Sequence, residues 1–162
     1  MLLLTGPTAA GKNTTGRLLA QQQERCAVVD FDLVRAMFVQ PHRAPWQGAE
    51  GRAQQLLGIQ HVCQIALGFH AAGWKVIVLD VVTNDIVQYY QMALQSVNLV
   101  IVQLLPSLPE TARRFYARGP VLTDAEFEQV YREQVQFRFA AQRIDTTALS
   151  PEAAAEQLRG YV

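Results

Sequence analysis

Several features that would point to other classes of protein are missing from this chain of 162 residues. No apolar run approaches the roughly 20 residues that a membrane-spanning helix needs, so we expect no membrane partner. No basic segment occurs, and the formal net charge is +0, which disfavours a long nucleic-acid footprint. The two cysteines, Cys26 and Cys63, lack metal-binding or redox spacing. We expect buried thiols in a reduced compartment and therefore a cytoplasmic protein.

Lysine is also scarce, since Lys12 and Lys75 are the only lysines among 14 basic residues. Lys12 lies in the most informative segment, GPTAAGKNT at residues 6–14, which follows an apolar run. Its G-x-x-x-x-G-K spacing is typical of a phosphate-binding loop between a strand and a helix. Gly6 and Gly11 permit backbone conformations that a Cβ would penalise, so the loop amides can surround an anion. The alternative is a tight turn that binds nothing.

The position after the lysine departs from the usual loop, where a serine or threonine hydroxyl binds Mg²⁺. Here it is Asn13, whose amide oxygen can bind Mg²⁺ or hold one of its water ligands. Thr14 is placed to contact an α-phosphate, or to take the metal-binding role itself. The predicted nucleotide-binding residues are Gly6, Thr8, Ala9, Ala10, Gly11, Lys12, Asn13 and Thr14, with Arg118 from a later helix.

Apolar segments alternate with helical patterns along the whole chain. Strands are predicted near residues 1–5, 26–30, 76–80, 99–104 and 140–144, and helices between them, one of which covers residues 31–39. The alternation predicts an α/β fold with a parallel sheet covered on both faces by helices. We expect one domain over residues 1–162, whose ligands bind beyond the carboxyl ends of the strands.

Three carboxylates follow predicted strands at this edge. Asp30 ends the second strand, Asp32 lies just past it, and Asp80 ends the third strand. Transfer of a phosphoryl group to an alcohol needs a carboxylate that orients the hydroxyl and takes its proton. We predict that Asp32 is this base, although it could also cap or begin a helix. Asp30 and Asp80 are predicted to hold Mg²⁺, directly or through water.

Two arginines precede a helix break in the second half of the chain. Arg114 and Arg118 lie four residues apart on one helix face, directly before Gly119 and Pro120. Arginines beside a mobile segment can clamp phosphates when the segment closes, and a lid is predicted at about residues 115–138. Arg113 lies on another face and is expected to be solvated. The alternative for these arginines is surface pairing with nearby glutamates.

Two helix starts in this half of the chain match the capping-box pattern, in which a serine or threonine is followed three residues later by a glutamate. The pairs are Ser107 with Glu110, and Thr123 with Glu126. Both helices are therefore predicted to begin at these residues.

The segment at about residues 40–72 is predicted to form the substrate side, as a loop followed by a long helix. The candidate acceptor-binding residues are Asp32, Arg35, His42, Arg43 and Trp46. Trp46 is costly to leave in water, so it either walls an acceptor pocket or is buried against the long helix. Arg35, His42 and Arg43 could hold an anionic or polar group.

These motifs together resemble the small P-loop kinases of the nucleoside-monophosphate-kinase, shikimate-kinase, gluconate-kinase and chloramphenicol-phosphotransferase type. The resemblance spans nearly the whole chain and includes the closing segment DTTALSPE at residues 145–152. It implies a five-stranded sheet of order 2-3-1-4-5, ATP as donor, Mg²⁺, a closing lid, and an adenine site framed by the closing segment. The opening of the phosphate loop and Asp30 also resemble the tRNA isopentenyl-transferases, but this chain is short and electrically neutral.

The sequence therefore predicts an ATP-dependent kinase in which Lys12, Asp32, Arg114 and Arg118 are catalytic. Its acceptor is a small molecule or a nucleotide, with GTP left open as an alternative donor. The other hypothesis is a nucleotide-binding sensor that does not transfer phosphate, because Asn13 replaces the usual hydroxyl.

Overall fold

Five short segments pair into one parallel sheet in a computed structural model that describes residues 1–162. The strands are β1 (Leu2–Thr5), β2 (Cys26–Asp30), β3 (Lys75–Leu79), β4 (Val100–Leu104) and β5 (Gln142–Ile144). They lie in the order β2-β3-β1-β4-β5, which confirms the predicted order and the α/β class. Leu3 of β1 is in register with Val78 of β3 and Ile101 of β4.

The connections between the strands are helical. The helices are α1 (Lys12–Gln21), α2 (Phe31–Arg35), α3 (Gly48–Ala71), α4 (Val87–Ala93), α5 (Leu108–Ala117), α6 (Asp124–Val135) and α7 (Pro151–Leu158), followed by a 3₁₀ turn at Arg159–Tyr161. None of them combines the length and apolarity that crossing a membrane requires. The helix predicted over residues 31–39 is shorter than expected and ends at Arg35. Met37 and Val39, beyond its end, are 72% and 81% exposed, so they make little packing contact that would support a further turn.

The two faces of the sheet bury two separate cores, because successive strand residues point to opposite faces. Leu2 and Leu4 pack with α1 and α7, whereas Leu3 packs with α3 and α4. The layers are therefore helix, sheet and helix, as predicted. This arrangement brings the carboxyl ends of β1, β2, β3 and β4 to one edge, where the candidate site lies.

A buried polar network fastens α6 to that edge. The side chain of Gln134 is 0% exposed, and its Nε2 donates to the Val82 carbonyl at 2.7 Å. Its Oε1 accepts from Gln103 Nε2 at 3.1 Å and from Thr5 Oγ1 at 3.5 Å. Since Thr5 precedes the phosphate loop and Val82 follows Asp80, this one amide joins the predicted lid to two parts of the site.

Gln134→Ala is expected to lower the free energy of unfolding by about 2–3 kcal/mol, because it leaves the buried Val82 carbonyl without its partner and removes the acceptor of the Thr5 hydroxyl. Gln103 keeps its hydrogen bond to the backbone carbonyl of residue 134. Urea denaturation measures the change. Gln129→Ala, on the exposed side of the same helix, is the matched control and should cost less than about 0.5 kcal/mol. Equal losses in both variants would show that the network contributes nothing beyond helix propensity.

One of the two predicted capping boxes is confirmed, and one is wrong. Thr123 and Glu126 form the reciprocal box at the start of α6. Ser107 precedes α5 but makes no side-chain cap. Its backbone N–H, which Glu110 would bind in a capping box, donates to Thr147 Oγ1 at 2.8 Å instead. Glu110 therefore has no amide to bind there and pairs with arginines instead.

Candidate active site

The loop between β1 and α1 is a tight turn with three residues in backbone conformations of positive φ. Gly6, Ala9 and Gly11 have φ angles of 148°, 67° and 98°. Left-handed positions this close together turn successive backbone amides to the same side, which is the arrangement that binds anions. Gly6 is also required sterically, because a Cβ there would lie 2.2 Å from the Leu104 carbonyl oxygen of β4.

Lys12 begins α1 and folds back over this loop. Its Nζ donates to the carbonyl oxygens of Gly6 at 2.9 Å and Pro7 at 3.0 Å. Burial lowers the pKa of Lys12 to about 8, while the charges of Asp32 and Asp80 oppose that shift. The charge of Arg118 lowers the same pKa. The ammonium group of Lys12 is therefore influenced by both carboxylates and a guanidinium.

The two acids that end β2 have different surroundings. Asp30 is only 7% exposed and caps α2 by accepting a hydrogen bond from the backbone N–H of Asp32 at 3.0 Å. Its other oxygen accepts from Asn13 Nδ2 at 2.6 Å. Asp32 lies in the first turn of α2, where it is exposed and faces the candidate site. The helix cap considered for Asp32 is therefore supplied by Asp30.

Asp80 lies directly after β3 and is almost completely buried. One of its carboxylate oxygens accepts from Tyr90 Oη at 2.7 Å, and the other from the Val81 backbone N–H at 2.7 Å. Burial raises the pKa of Asp80 to about 7, although these two hydrogen bonds act in the opposite direction. Asp80 is thus a carboxylate held in a fixed position behind the wall of the site.

Glu110 organises two of the arginines on α5. Arg113 binds both oxygens of Glu110 at 2.7 Å, and Arg114 Nε binds one of them at 2.7 Å. These guanidinium hydrogen bonds, that of Arg113 first, lower the pKa of Glu110 to about 2. Arg114 also donates to the Thr146 carbonyl at 2.8 Å. Arg118, at the end of α5, forms no salt bridge and faces the same space.

A cavity of about 660 Å³ lies between the phosphate loop, α5 and the start of α7. It is lined by residues 8–15, Asp32, Val81, Glu110, Arg113, Arg114, Arg118, residues 146–151 and Ala154. The structure thus brings most of the predicted nucleotide-binding residues together with Asp32 and both predicted arginines. Asp30 and Asp80 lie behind the wall. Arg113, expected to be solvated, lines the rim.

Residues 146–151 line a large part of the cavity, and none of them was predicted individually as a site residue. Thr146 Oγ1 lies 3.5 Å from the Ala10 carbonyl oxygen of the phosphate loop, and Ser150 caps α7 by accepting from the Ala153 N–H. The sequence signal was the closing DTTALSPE segment, which carries the resemblance but assigns no role to any one side chain.

The loop between α2 and α3 is folded onto α3 by a buried glutamine. Gln54 Oε1 accepts from the Arg43 N–H at 3.0 Å, and its Nε2 donates to the Pro41 carbonyl at 2.8 Å. Arg35 reaches the same loop through the Arg43 carbonyl, and its buried Nε has no hydrogen-bond partner. Burial lowers the pKa of Arg35 and the charge of Asp32 opposes this, so Arg35 lies beside the predicted base.

Of the predicted acceptor residues only Asp32 lines the cavity, and Arg35, Arg43, His42 and Trp46 lie outside it. His42 Nδ1 is 2.9 Å from the Phe38 carbonyl oxygen. Trp46 is 47% exposed, so it is not buried against α3, and its Nε1 donates to Glu126 Oε1 at 2.8 Å. Trp46 therefore joins the acceptor loop to the first turn of α6, a contact that neither sequence alternative anticipated.

The strand order, the left-handed phosphate loop and the helices on both faces give this chain the fold of several solved kinases. Three solved structures share this fold over nearly the whole chain. Shikimate kinase from Acinetobacter baumannii has a TM-score of 0.66 at 23% identity, with 97% of this chain and 89% of that chain covered. Mycobacterium tuberculosis APS kinase has a TM-score of 0.66 at 15% identity, with 97% and 93% covered.

The third is the tunicamycin resistance protein of Deinococcus radiodurans, with a TM-score of 0.71 at 16% identity over 99% of this chain and 93% of that chain. No protein-family model matches the sequence, and neither does any curated protein. The likeness at these identities establishes the fold, and so confirms the predicted architecture. The function has to be argued from the site.

Proposed function

We propose that the protein is an ATP-dependent phosphotransferase that moves the γ-phosphoryl group to a hydroxyl or phosphate oxygen of a small molecule or nucleotide. The observation that carries the proposal is that Asp32 and the phosphate loop line one cavity. A carboxylate facing a phosphate site can take the proton of an attacking hydroxyl. A protein that only binds a nucleotide needs no such group there.

Each residue of the site has a separate role in the proposed transfer. Lys12 and the loop amides hold the β- and γ-phosphates, so that the γ-phosphorus faces the acceptor oxygen. The bond from the β,γ-bridging oxygen to the γ-phosphorus breaks, the bond to the acceptor oxygen forms, and ADP leaves. Asp32 takes the proton of an acceptor hydroxyl. Arg114 and Arg118 balance negative charge on the group in transfer.

The side-chain oxygen atoms near the phosphate loop are suitable ligands for a magnesium ion. Asn13 lines the cavity and its amide oxygen accepts no hydrogen bond from the protein, Thr14 lies next to it, and Asp80 supplies a fixed carboxylate. Mg²⁺ bound with a nucleotide keeps several waters and needs only one or two protein ligands, which agrees with the absence of any group of three acidic, His or Cys ligands. When bound, Mg²⁺ neutralises charge on the phosphate oxygens.

Arg35, His42, Arg43 and Trp46 remain our proposed acceptor-side residues. The buried, unpartnered Nε of Arg35 beside Asp32 supports an acceptor with an anionic or strongly polar group. Two proteins of the same fold were solved with small molecules, one with shikimate and the other with AMPPNP and APS. Those complexes support a small acceptor next to a nucleotide as the arrangement to test.

The proposal is tested by ADP formation from Mg-ATP over a panel of nucleosides, nucleoside monophosphates, sugars, sugar acids and aromatic alcohols. Lys12→Ala is the blank, and Lys75→Ala, which changes the only other lysine, is the matched control. We expect a signal that depends on one acceptor class, is abolished in Lys12→Ala and persists in Lys75→Ala.

A second measurement separates the sensor hypothesis. A nucleotide that binds the folded state raises the melting temperature by mass action. If ATP raises it and no acceptor in the panel gives ADP, a nucleotide-binding protein without transfer replaces the proposed kinase. If ATP neither binds nor turns over, the kinase and the nucleotide sensor are both wrong, and the loop is a tight turn that binds no nucleotide.

A further inference from the structure

The hydrogen bond between Asn13 and Asp30 fixes the orientation of the Asn13 amide. An ionised carboxylate only accepts hydrogen bonds, so the contact at 2.6 Å must come from the NH₂ group of Asn13. The amide oxygen, on the other side of the same planar group, then points away from Asp30. Because Asn13 lines the cavity, this oxygen is the atom that it offers to a ligand there.

The same carboxylate also holds the predicted base. Asp30 Oδ1 accepts from the backbone N–H of Asp32, while Oδ2 accepts from Asn13. Asp30 therefore ties the first turn of α1 to the first turn of α2. With both oxygens engaged and little exposure, it does not line the cavity itself.

We propose that Asp30 is a positioning residue that holds the Asn13 amide with its oxygen toward the Mg²⁺ of a bound nucleotide. Asn13 then does with an oriented carbonyl what a hydroxyl does in the usual loop. A hydroxyl both donates and accepts and needs no such orientation, whereas an amide turned by 180° would present its NH₂ group to the cation. The inference rests on the nucleotide site of the proposed function and names what makes that site work with asparagine.

The geometry allows a double-mutant test. In Asp30→Asn the new side chain can still cap α2 through its oxygen, but its NH₂ group now faces Asn13. The Asn13 amide is expected to turn so that its oxygen accepts from residue 30, which directs its NH₂ group into the cavity. Adding Asn13→Ser to Asp30→Asn should remove the orientation problem, because a serine hydroxyl offers an oxygen in either variant.

The measurement is the affinity for AMPPNP, with and without Mg²⁺, by isothermal titration calorimetry. We expect Mg²⁺ to tighten binding to the unmodified protein, and Asp30→Asn to weaken the apparent Mg²⁺ affinity by about 10- to 100-fold, as for other changes behind a metal ligand. Metal-free AMPPNP affinity should change little. Asp30→Asn with Asn13→Ser should recover most of the Mg²⁺ effect, and Glu24→Gln, an exposed site, should behave like the unmodified protein.

Two outcomes would overturn the inference. An undiminished Mg²⁺ effect in Asp30→Asn would mean that the pair does not orient the amide. Loss in both Asp30→Asn and the double variant would mean that Asp30 itself serves the metal. Turnover is measured separately, so the two proposals can fail independently. The expected Mg²⁺ pattern without phosphotransfer would refute the kinase and keep this inference. Phosphotransfer without the Mg²⁺ pattern would keep the kinase and refute this inference.

Discussion

Asp32→Asn is expected to lower phosphotransfer by about 10²- to 10⁴-fold, the usual contribution of a general base, and to leave nucleotide affinity nearly unchanged. Asp32 lines the cavity beside Lys12, yet it makes no side-chain hydrogen bond that holds the fold together. The backbone N–H of residue 32 would still donate to Asp30, so α2 keeps its cap. The amide can orient an acceptor hydroxyl but cannot take its proton.

The result is read from kcat with the acceptor found in the panel, together with the Kd for AMPPNP. A fall in kcat with unchanged Kd would support the base, because the loss then lies in the transition state and not in ground-state binding. Glu24→Gln, far from the cavity, controls for the removal of one negative charge. Normal turnover in Asp32→Asn would remove Asp32 from the role and move the search to another acceptor-side group.

The sequence was sufficient for the features that arise from local chemistry. The apolar run at residues 1–5 and the apolar strands that end in Asp30 and Asp80 predict the sheet and its functional edge. The glycines of the phosphate loop could be identified because the φ angles at Gly6 and Gly11 are ones that side chains rarely adopt. Such signals lie within a few residues of the structure that they specify.

The features that could not be predicted depend on partners distant in the chain. Thr147 takes the N–H of Ser107, 40 residues away, and so prevents a capping box that the local sequence matches. Gln134 resembles any other glutamine of a solvated helix until the fold places Val82 and Gln103 around it. Trp46 meets Glu126 across 80 residues. A sequence pattern can be compatible with a local hydrogen bond. It does not show whether a residue distant in the chain binds the same donor or acceptor instead.

The free protein is expected to become less stable as the pH rises from about 4 to about 7, in the part of its stability that Asp80 controls. The ordinary pKa of the carboxyl is 3.8, and burial raises it to about 7 in the fold. The folded state therefore binds this proton more tightly than the unfolded state does. The favourable contribution is complete below the unfolded pKa, is lost as the pH passes through the folded pKa, and amounts to about 4 kcal/mol.

Asp80→Asn isolates this effect, because the amide can accept from the Val81 N–H and donate to Tyr90 Oη without titrating. Urea denaturation between pH 4 and pH 8 should give similar stability for both proteins at pH 4 and a more stable variant at pH 8. Other carboxyls, such as Glu110 with its lowered pKa, act in the opposite direction but cancel in the difference. The pKa of Lys12, lowered to about 8, takes effect mainly above this window.

Parallel stability curves for the two proteins would mean that burial does not destabilise the Asp80 carboxylate. A divergence toward pH 8 would mean that the fold keeps a charged group at a cost in stability. Tyr90 and Val81 satisfy its oxygens, but they do not remove the cost of burial. A group retained under those conditions is typical of functional sites, where stability is given up for chemistry. Asp80→Asn should therefore gain stability and lose Mg²⁺-dependent turnover in the same variant.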